Sequence, residues 1–348
     1  MYIRSGLREL FYRRDELKIM SEHVSDRYGV PRWIVMIDAA LSTFIYGTIY
    51  TEYEALGFWK RTPINRMTYV TVGWLLRNVI NKYNNFEYRD FFRNKRKFNQ
   101  VFGEFTQREM LDLEVVSDKE IDNFINKNNK IVLKKSDSYS GKMVKVLDLS
   151  IQLFDEIMDE IKSGKYDMIE TYIENCKEMK ELNSTSLNTI RIVTIHSENV
   201  FDVVSASLRI GAIGTKVDNV SQGGCCAMID ISTGKLVTKF IANAYRKVEG
   251  SQEGRDEIGF KIPYWEETIN MVKSASKIIP EIHSVGWDVA ITEKGPILIE
   301  GNESYHTDIM EMYFSNTEPG LKRVYKRSLK KVEQDLNKYT KSQNYGSC

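Results

Sequence analysis

The chain has 348 residues, 42% hydrophobic and 28% charged, with 6 prolines and 21 glycines. This excludes a disordered or fibrous chain and suits one enzyme of two or three subdomains. Lys+Arg number 49 and Asp+Glu 48, a net charge of +1, which argues against a protein that grips long nucleic acid by its phosphates.

The opening MYIRSGLRELFYRRDELK is charged throughout and does not read as a signal peptide. Helices are predicted at about 4–27, 32–48, 63–83 and 95–105, punctuated by Gly29-Val30-Pro31 and Thr62-Pro63. Residues 33–51, WIVMIDAALSTFIYGTIYT, are nearly free of charge. Asp38, Ser42, Thr43 and Gly47 interrupt the run, so a buried core helix is expected rather than a membrane span. Phe98, Phe102 and Phe105 recur at helical spacing and should face a core. The basic run Arg93, Lys95, Arg96, Lys97 reads as a solvated face, with a phosphate contact as the alternative.

Near residue 130 the texture changes. Ile131–Leu133 and Met143–Leu147 read as two strands joined by the small-polar loop Ser136-Asp137-Ser138-Tyr139-Ser140-Gly141. A helix at about 150–163 and a strand at 167–170 follow. From 187 strands dominate: 189–195, 201–208, 227–231 and 236–244. After a helix at about 264–279 come strands 284–291 and 297–300 about the turn Glu293-Lys294-Gly295-Pro296. A basic amphipathic helix at about 318–338 closes the fold, and the tail KYTKSQNYGSC reads as disordered. Cys176, Cys225, Cys226 and Cys348 form no CxxC, so neither a disulfide framework nor structural zinc is expected, and a reducing cytoplasm fits best.

The last hairpin carries the strongest chemical signal. Asp288 lies on one strand, Glu300 and Asn302 on the next. Alternation points Glu300 and Asn302 the same way, and pairing about the EKGP turn should set Asp288 across from them. Two carboxylates and an amide then suit Mg²⁺ bridging phosphate oxygens; a polar strand end at the surface is the alternative. Lys134 ends an apolar strand before a loop closed by Gly141 and Lys142, a weak phosphate-binding signal by itself. Met168–Ile173 is an apolar strand running into Glu170 and Tyr172, suited to an adenine slot or simply to a strand end.

In this order, VLKKSDSYSGKMV, IETYI and GWDVAITEKGPILIEGN resemble the ATP-grasp superfamily. More narrowly, SLNTIRIVTI, LRIGAIGTKVDNVSQGG and IPYWEE resemble the sugar-transfer-associated ATP-grasp family, with the teichuronopeptide-synthesis-type family nearby. The likeness covers roughly residues 40 to 310. It implies an α+β fold: a helical region 1–110, a lid and nucleotide subdomain 111–180, a catalytic subdomain 181–338, and a flexible tail 339–348. Lys134 matches the phosphate-contacting lysine, Ser136 to Gly141 the lid with Lys142 beside it, and Glu170, Tyr172 and Ile173 the adenine hinge. Glu178 matches a ribose-binding acid, and Asp288, Glu300 and Asn302 the Mg²⁺ ligands. With Asn302, Arg191 and Arg209 are implied as catalytic, the arginines clamping triphosphate or acceptor carboxylate. Asn188, Asp218 and Asn219 are the implied acceptor-site residues. The sequence departs from the pattern at its single lid glycine, at KVEGSQEGRDE, and at Gly286 where an arginine is common.

The implied activity is an ATP-dependent carboxylate–amine ligase using Mg²⁺ and acting through an acyl phosphate. Its setting would be surface-polysaccharide or precursor-sugar modification, with a uronic acid and an amino acid as partners. The implied partners include membrane glycan machinery, contacted peripherally, and exclude nucleic acid. Three alternatives stay open: a sugar-hydroxyl phosphotransferase with Asp218 as base, a nucleotide-binding scaffold in glycan assembly, and a thiol mechanism at Cys225-Cys226. The histidines are read as bystanders.

Overall fold

A computed structural model describes residues 14–136, 143–151, 154–215, 218, 223–242, 249–306 and 319–345. Helices α1 (Arg14–Tyr28) and α2 (Arg32–Tyr46) open the described chain. α2 stops at Gly47, whose left-handed φ of 72° lets its N–H close back on Thr43. The core-helix expectation holds for one side of α2 only: Val35, Ala39 and Ser42 are buried, but Trp33, Ile37, Leu41 and Ile45 are exposed. The predicted helix over 63–83 is broken, because Pro63–Arg66 ends before Thr71 caps a new segment from Val72 to Tyr83 with a π turn at Leu76–Ile80. α3 (Lys95–Thr106) begins at Asn94, whose side chain accepts from two backbone N–H groups.

A four-stranded sheet follows, in the order β1-β4-β2-β3, from β1 (Met110–Asp112), β2 (Lys130–Lys134), β3 (Val144–Asp148) and β4 (Met168–Thr171). Helices α4 (Asp118–Lys127) and α5 (Phe154–Ile161) cover one face. Ile121, Phe124 and Ile157 meet Ile131, Leu133 and Ile169 there. Alternation sends Val132, Lys134 and Glu170 to the other face. Sequence patterning missed both β1 and α4.

The second sheet is antiparallel, in the order β11-β10-β5-β6-β7-β8. Its strands are β5 (Thr189–His196), β6 (Phe201–Ile210), β7 (Cys225–Asp230), β8 (Lys235–Leu236), β9 (Ile241–Ala242), β10 (Ser284–Thr292) and β11 (Gly295–Asn302). The predicted strand 236–244 is two short pieces, and β9 pairs separately with β7. One face packs Ile190, Ile192, Leu208, Trp287, Val289 and Leu298 under α6 (Trp265–Ala275) and the Phe92, Phe98 and Phe102 rings. The other face is divided. Val193, Ile195 and Val204 lie under α7 (Lys322–Tyr345) through Tyr325, Leu329 and Val332. Thr189, Arg191, Arg209 and Asp288 line an uncovered cavity. The predicted tail is helical as far as Tyr345.

Candidate active site

A cavity of about 540 Å³ lies between the two sheets, with α3 closing one side. That size falls within the range of small-molecule sites. It brings together Lys134, Glu170, Tyr172, Ile173, Arg191, Arg209, Asp218, Asp288, Glu300 and Asn302, residues separated by up to 168 positions in the chain (302 − 134).

The floor depends on an irregularity. About the Thr292–Gly295 turn, Val289 pairs with Leu298, and both enter the apolar core. Strict pairing would next set Ile299 across from Asp288 and send Glu300 into the core beside Trp287. Instead the register shifts by one residue, so Asp288 faces Glu300, Trp287 faces Gly301 and Gly286 faces Asn302. The extra residue is Ile299, a β-bulge. Its carbonyl accepts from Arg108 Nη2 at 2.8 Å. Convergence of the three polar residues therefore rests on this bulge, not on the turn alone. Gly301 is required here because a Cβ would meet the Phe92 ring at 2.9 Å and the Phe98 ring at 3.1 Å.

Asp288 is 2% exposed. Arg191, its partner on β5, grips it with two N–H groups, the Nη2 bond being 2.9 Å. Arg209 Nη2 reaches the same carboxylate at 2.9 Å. Burial pushes the Asp288 carboxyl up, but the two guanidinium groups outweigh it and hold the pKa down to about 2. Glu300 is pushed the opposite way, first by removal from water and then by the Asp288 charge across the hairpin. Asn302 Nδ2 lies 3.2 Å from Glu300 Oε1. Arg209 also donates to Thr189 Oγ1 at 2.7 Å, and Thr189 donates to Asp218. Burial raises Asp218 and Asp288 adds to the rise, while Arg209 opposes it.

On the opposite wall Lys134 Nζ donates to Glu170 Oε2 at 2.5 Å, and Arg108 Nε lies 3.5 Å from the same oxygen. Burial would raise Glu170, yet Arg108 and Lys134 keep its carboxyl below the ordinary range. Glu170 Oε1 is buried without a hydrogen-bond partner among the described residues. The Glu170 side chain therefore anchors the lysine, and Thr171, Tyr172 and Ile173 supply the adjoining lining.

The remaining expected residues lie elsewhere. Ser136 donates from N and Oγ to Asp167, both at 2.7 Å, outside the cavity lining. Asn188 is buried in a structural network, donating to Met179 O and Asn183 O. Glu178 is exposed on the short helix Lys177–Leu182 and does not line the cavity. Gly141, Lys142 and Asn219 lie outside the described residues.

Reading 93–97 as one solvated run missed two residues: Arg93 and Lys95 line the cavity, whereas Arg96 pairs with Asp112 and Glu114 and Lys97 with Asp90. The Asn94 cap, which separates Arg93 from the helix carrying Lys95, is the sequence signal that divides the run. His306 also lines the cavity. Glu303 in the lining binds Arg93 at 2.8 Å and Arg89 at 3.7 Å.

The residues fit a magnesium–nucleotide pair. Glu300 and Asn302 present hard oxygen donors beside the counter-charged Asp288, and the raised Glu300 marks a carboxylate crowding that a divalent cation relieves. Lys134, Lys95, Arg191 and Arg209 supply cationic walls for phosphate oxygens.

No curated protein matches the chain. Among solved structures it is similar to the D-alanine–D-alanine ligase from Coxiella burnetii, at 8% identity over 73% of this chain and 62% of that chain, TM-score 0.41. D-alanyl-alanine synthetase A from Vibrio cholerae is similar at 10% identity, over 68% and 63%, TM-score 0.41. An L-amino acid ligase from Bacillus licheniformis is similar at 12% identity, over 69% and 48%, TM-score 0.38. The match thus spans less than two thirds of each of these proteins. Residues 77–331, which hold both sheets and every lining residue of the cavity, match the sugar-transfer associated ATP-grasp family, and the chain belongs to that family, with its α+β ATP-grasp fold.

Proposed function

We propose that the protein is an ATP-dependent carboxylate–amine ligase acting on a sugar-linked substrate, with a uronic acid and an amino acid as the first pair to test. The observation that carries this reading is the pair of guanidinium groups, Arg191 and Arg209, converging on Asp288 beside Glu300. A planar guanidinium can bind a carboxylate and a phosphoryl group at once. The acceptor carboxylate needs no base, since it is ionised at neutral pH.

In this reading Thr171 to Ile173 border the base, and Lys134 and Lys95 hold the phosphates. Glu300 and Asn302, with Asp288 behind them, would hold Mg²⁺, which would supply charge neutralisation on the phosphate oxygens. Arg191 and Arg209 orient the carboxylate oxygen toward the γ-phosphorus. That oxygen forms the new P–O bond as the bond to ADP breaks. The amine then attacks the acyl carbon, phosphate leaves, and the amine's proton passes to a cavity carboxylate or water. Preorganised charge supplies most of the acceleration.

One observation favours a second reading. Asp218 lies in the cavity with its carboxyl raised toward proton-accepting strength, as a hydroxyl phosphotransferase needs. Incubation with Mg-ATP and one carboxylic acid at a time, with hydroxylamine present, separates the two. The ligase gives a hydroxamate and ADP. A stable sugar phosphate with no hydroxamate from any acid tested rejects the ligase reading.

A further inference from the structure

The helical region carries a surface that the cavity chemistry does not use. α2 is apolar almost all round, yet Trp33 is 66% and Ile45 64% exposed, and Ile37 and Leu41 lie exposed between them. At four-residue spacing they form one stripe opposite the buried Val35, Ala39 and Ser42. The turn Pro63–Arg66 packs on the same helix through Arg66, which donates to Asp38 at 2.7 Å and to Ser42 at 3.2 Å. On that turn Ile64 is 79% exposed, and Met67 beside it is exposed as well.

The next residue, Thr68, holds the start of α7. Gly320 N–H donates to Thr68 Oγ1 at 2.8 Å and Lys322 N–H to Thr68 O at 3.0 Å. From there α7 buries Tyr325, Ser328, Leu329 and Val332 and exposes Arg323, Lys326, Arg327 and Lys330 on its outer face. Among the described residues none of these four cations is paired with a carboxylate; the ion pairs of this helix use Lys331 and Glu333. Residues 63–68 thus link the helix that carries the apolar stripe to the start of the helix that carries the basic one.

We propose that this surface seats the protein on an anionic lipid bilayer, with the α2 stripe in the interfacial layer and the α7 cations against lipid phosphates. The argument is charge complementarity. A two-fold contact with a second copy through the same surface would bring one basic stripe close to another, whereas an anionic leaflet attracts both elements. α2 has 15 residues, about 22 Å of helix, short of the ~30 Å hydrocarbon core. No helix among the described residues is long and apolar enough to cross a membrane. α2 therefore lies on the surface, and the basic helix provides the second signal that stable attachment requires. This inference is independent of the ligase reading.

The test is flotation of the full chain with vesicles of phosphatidylcholine, alone or mixed with phosphatidylglycerol. Binding is expected only to the mixed vesicles and falls as salt rises. Replacing Arg323, Lys326, Arg327 and Lys330 by Gln weakens it by about a hundred-fold, at a few-fold per charge. Ile37→Ser with Leu41→Ser, both exposed, weakens it independently, and circular dichroism checks that each variant is folded. Brominated acyl chains quench Trp33 in the unaltered protein, and Trp33→Phe binds but loses that quenching. Absence of flotation with the mixed vesicles overturns the proposal, as does flotation unchanged by both sets of substitutions. A dimer in sedimentation that Leu41→Ser dissociates, without vesicle binding, assigns the surface to a second copy instead.

Discussion

Arg191 and Asp288 are register partners on adjacent strands, and the guanidinium holds both oxygens of the carboxylate. Arg209 reaches that carboxylate from the next strand. Asp288 thus serves first as the organiser of two cations, which leaves Glu300 and Asn302 as the donors most open to a metal. A lysine at position 191 would keep the charge and lose the two-point grip. Arg191→Lys is expected to lower hydroxamate formation by at least about ten-fold while ADP affinity in calorimetry changes by less than about three-fold, the loss falling on orientation of the acceptor. Equal losses in both measurements would place Arg191 in nucleotide binding instead.

Glu300→Gln removes the carboxylate that faces Asp288 and leaves the side-chain volume unchanged. The fold should persist, because the raised Glu300 shows that its charge costs free energy in the free protein. Turnover should fall by about a hundred-fold or more, the scale for loss of one electrostatic contact to the transferring group. Thermal melting and an ADP-release assay check the two halves, and wild-type turnover in this variant rules out Glu300 as a metal ligand.

Lys134→Ala has two consequences. Nucleotide affinity should drop by about 1.5–3 kcal/mol, the value of a hydrogen bond to a charged group. Stability should drop as well, because Glu170 is left buried with Arg108 as the main remaining counter-charge. Lys134→Ala combined with Glu170→Gln should recover part of the melting temperature and none of the affinity. Titration with ATP beside a melting curve distinguishes the two effects.

Gly301→Ala introduces a Cβ 2.9 Å from the Phe92 ring. Overpacking of this kind costs about 1–3 kcal/mol. Denaturant unfolding is expected to show that loss, with reduced turnover, since the same strand carries Glu300 and Asn302.

His196 is buried at the far end of β5, and burial followed by the neighbouring His283 depresses its pKa to about 3. Its ordinary value is about 6.5. The unfolded chain therefore takes up a proton that the folded chain refuses, so the stabilisation is complete above about pH 6.5 and is lost as the pH falls toward 3. Between pH 7 and pH 5 the loss from this residue is about 2 kcal/mol. Denaturant titrations at both pH values should show it in the native chain and a smaller difference in His196→Gln; His283, also depressed, supplies part of the remainder.

Much of this site is legible in the sequence, because alternation and the EKGP turn both act over a few residues. Those local rules identify the β10–β11 hairpin and place Arg191 and Arg209 on neighbouring strands. They fail where tertiary contacts decide. Asn188 reads as a polar residue near the site, but it is absorbed by hydrogen bonds that it donates to Asn175, Met179 and Asn183 and accepts from Ser186 and Asn175. Lys95 reads as one more solvated lysine, and only the packing of α3 on β11 turns it inward. α2 reads as core because nothing in its own periodicity distinguishes a face that meets protein from one that does not.

The bulge at Ile299 makes chain length itself a functional quantity. Between Gly295 and Asn302 the strand has one residue more than its partner requires. Every substitution within that stretch leaves the count unchanged, but deletion of a single residue would not. Loss of Ile299 would remove the bulge and the carbonyl that accepts from Arg108 while leaving Glu300 directly across from Asp288, whereas loss of Gly301 would set Asn302 across from Trp287 and turn it toward the phenylalanines. A deletion scan along residues 295–302 is therefore expected to depend on position, with loss of Gly301 far more damaging than loss of Ile299.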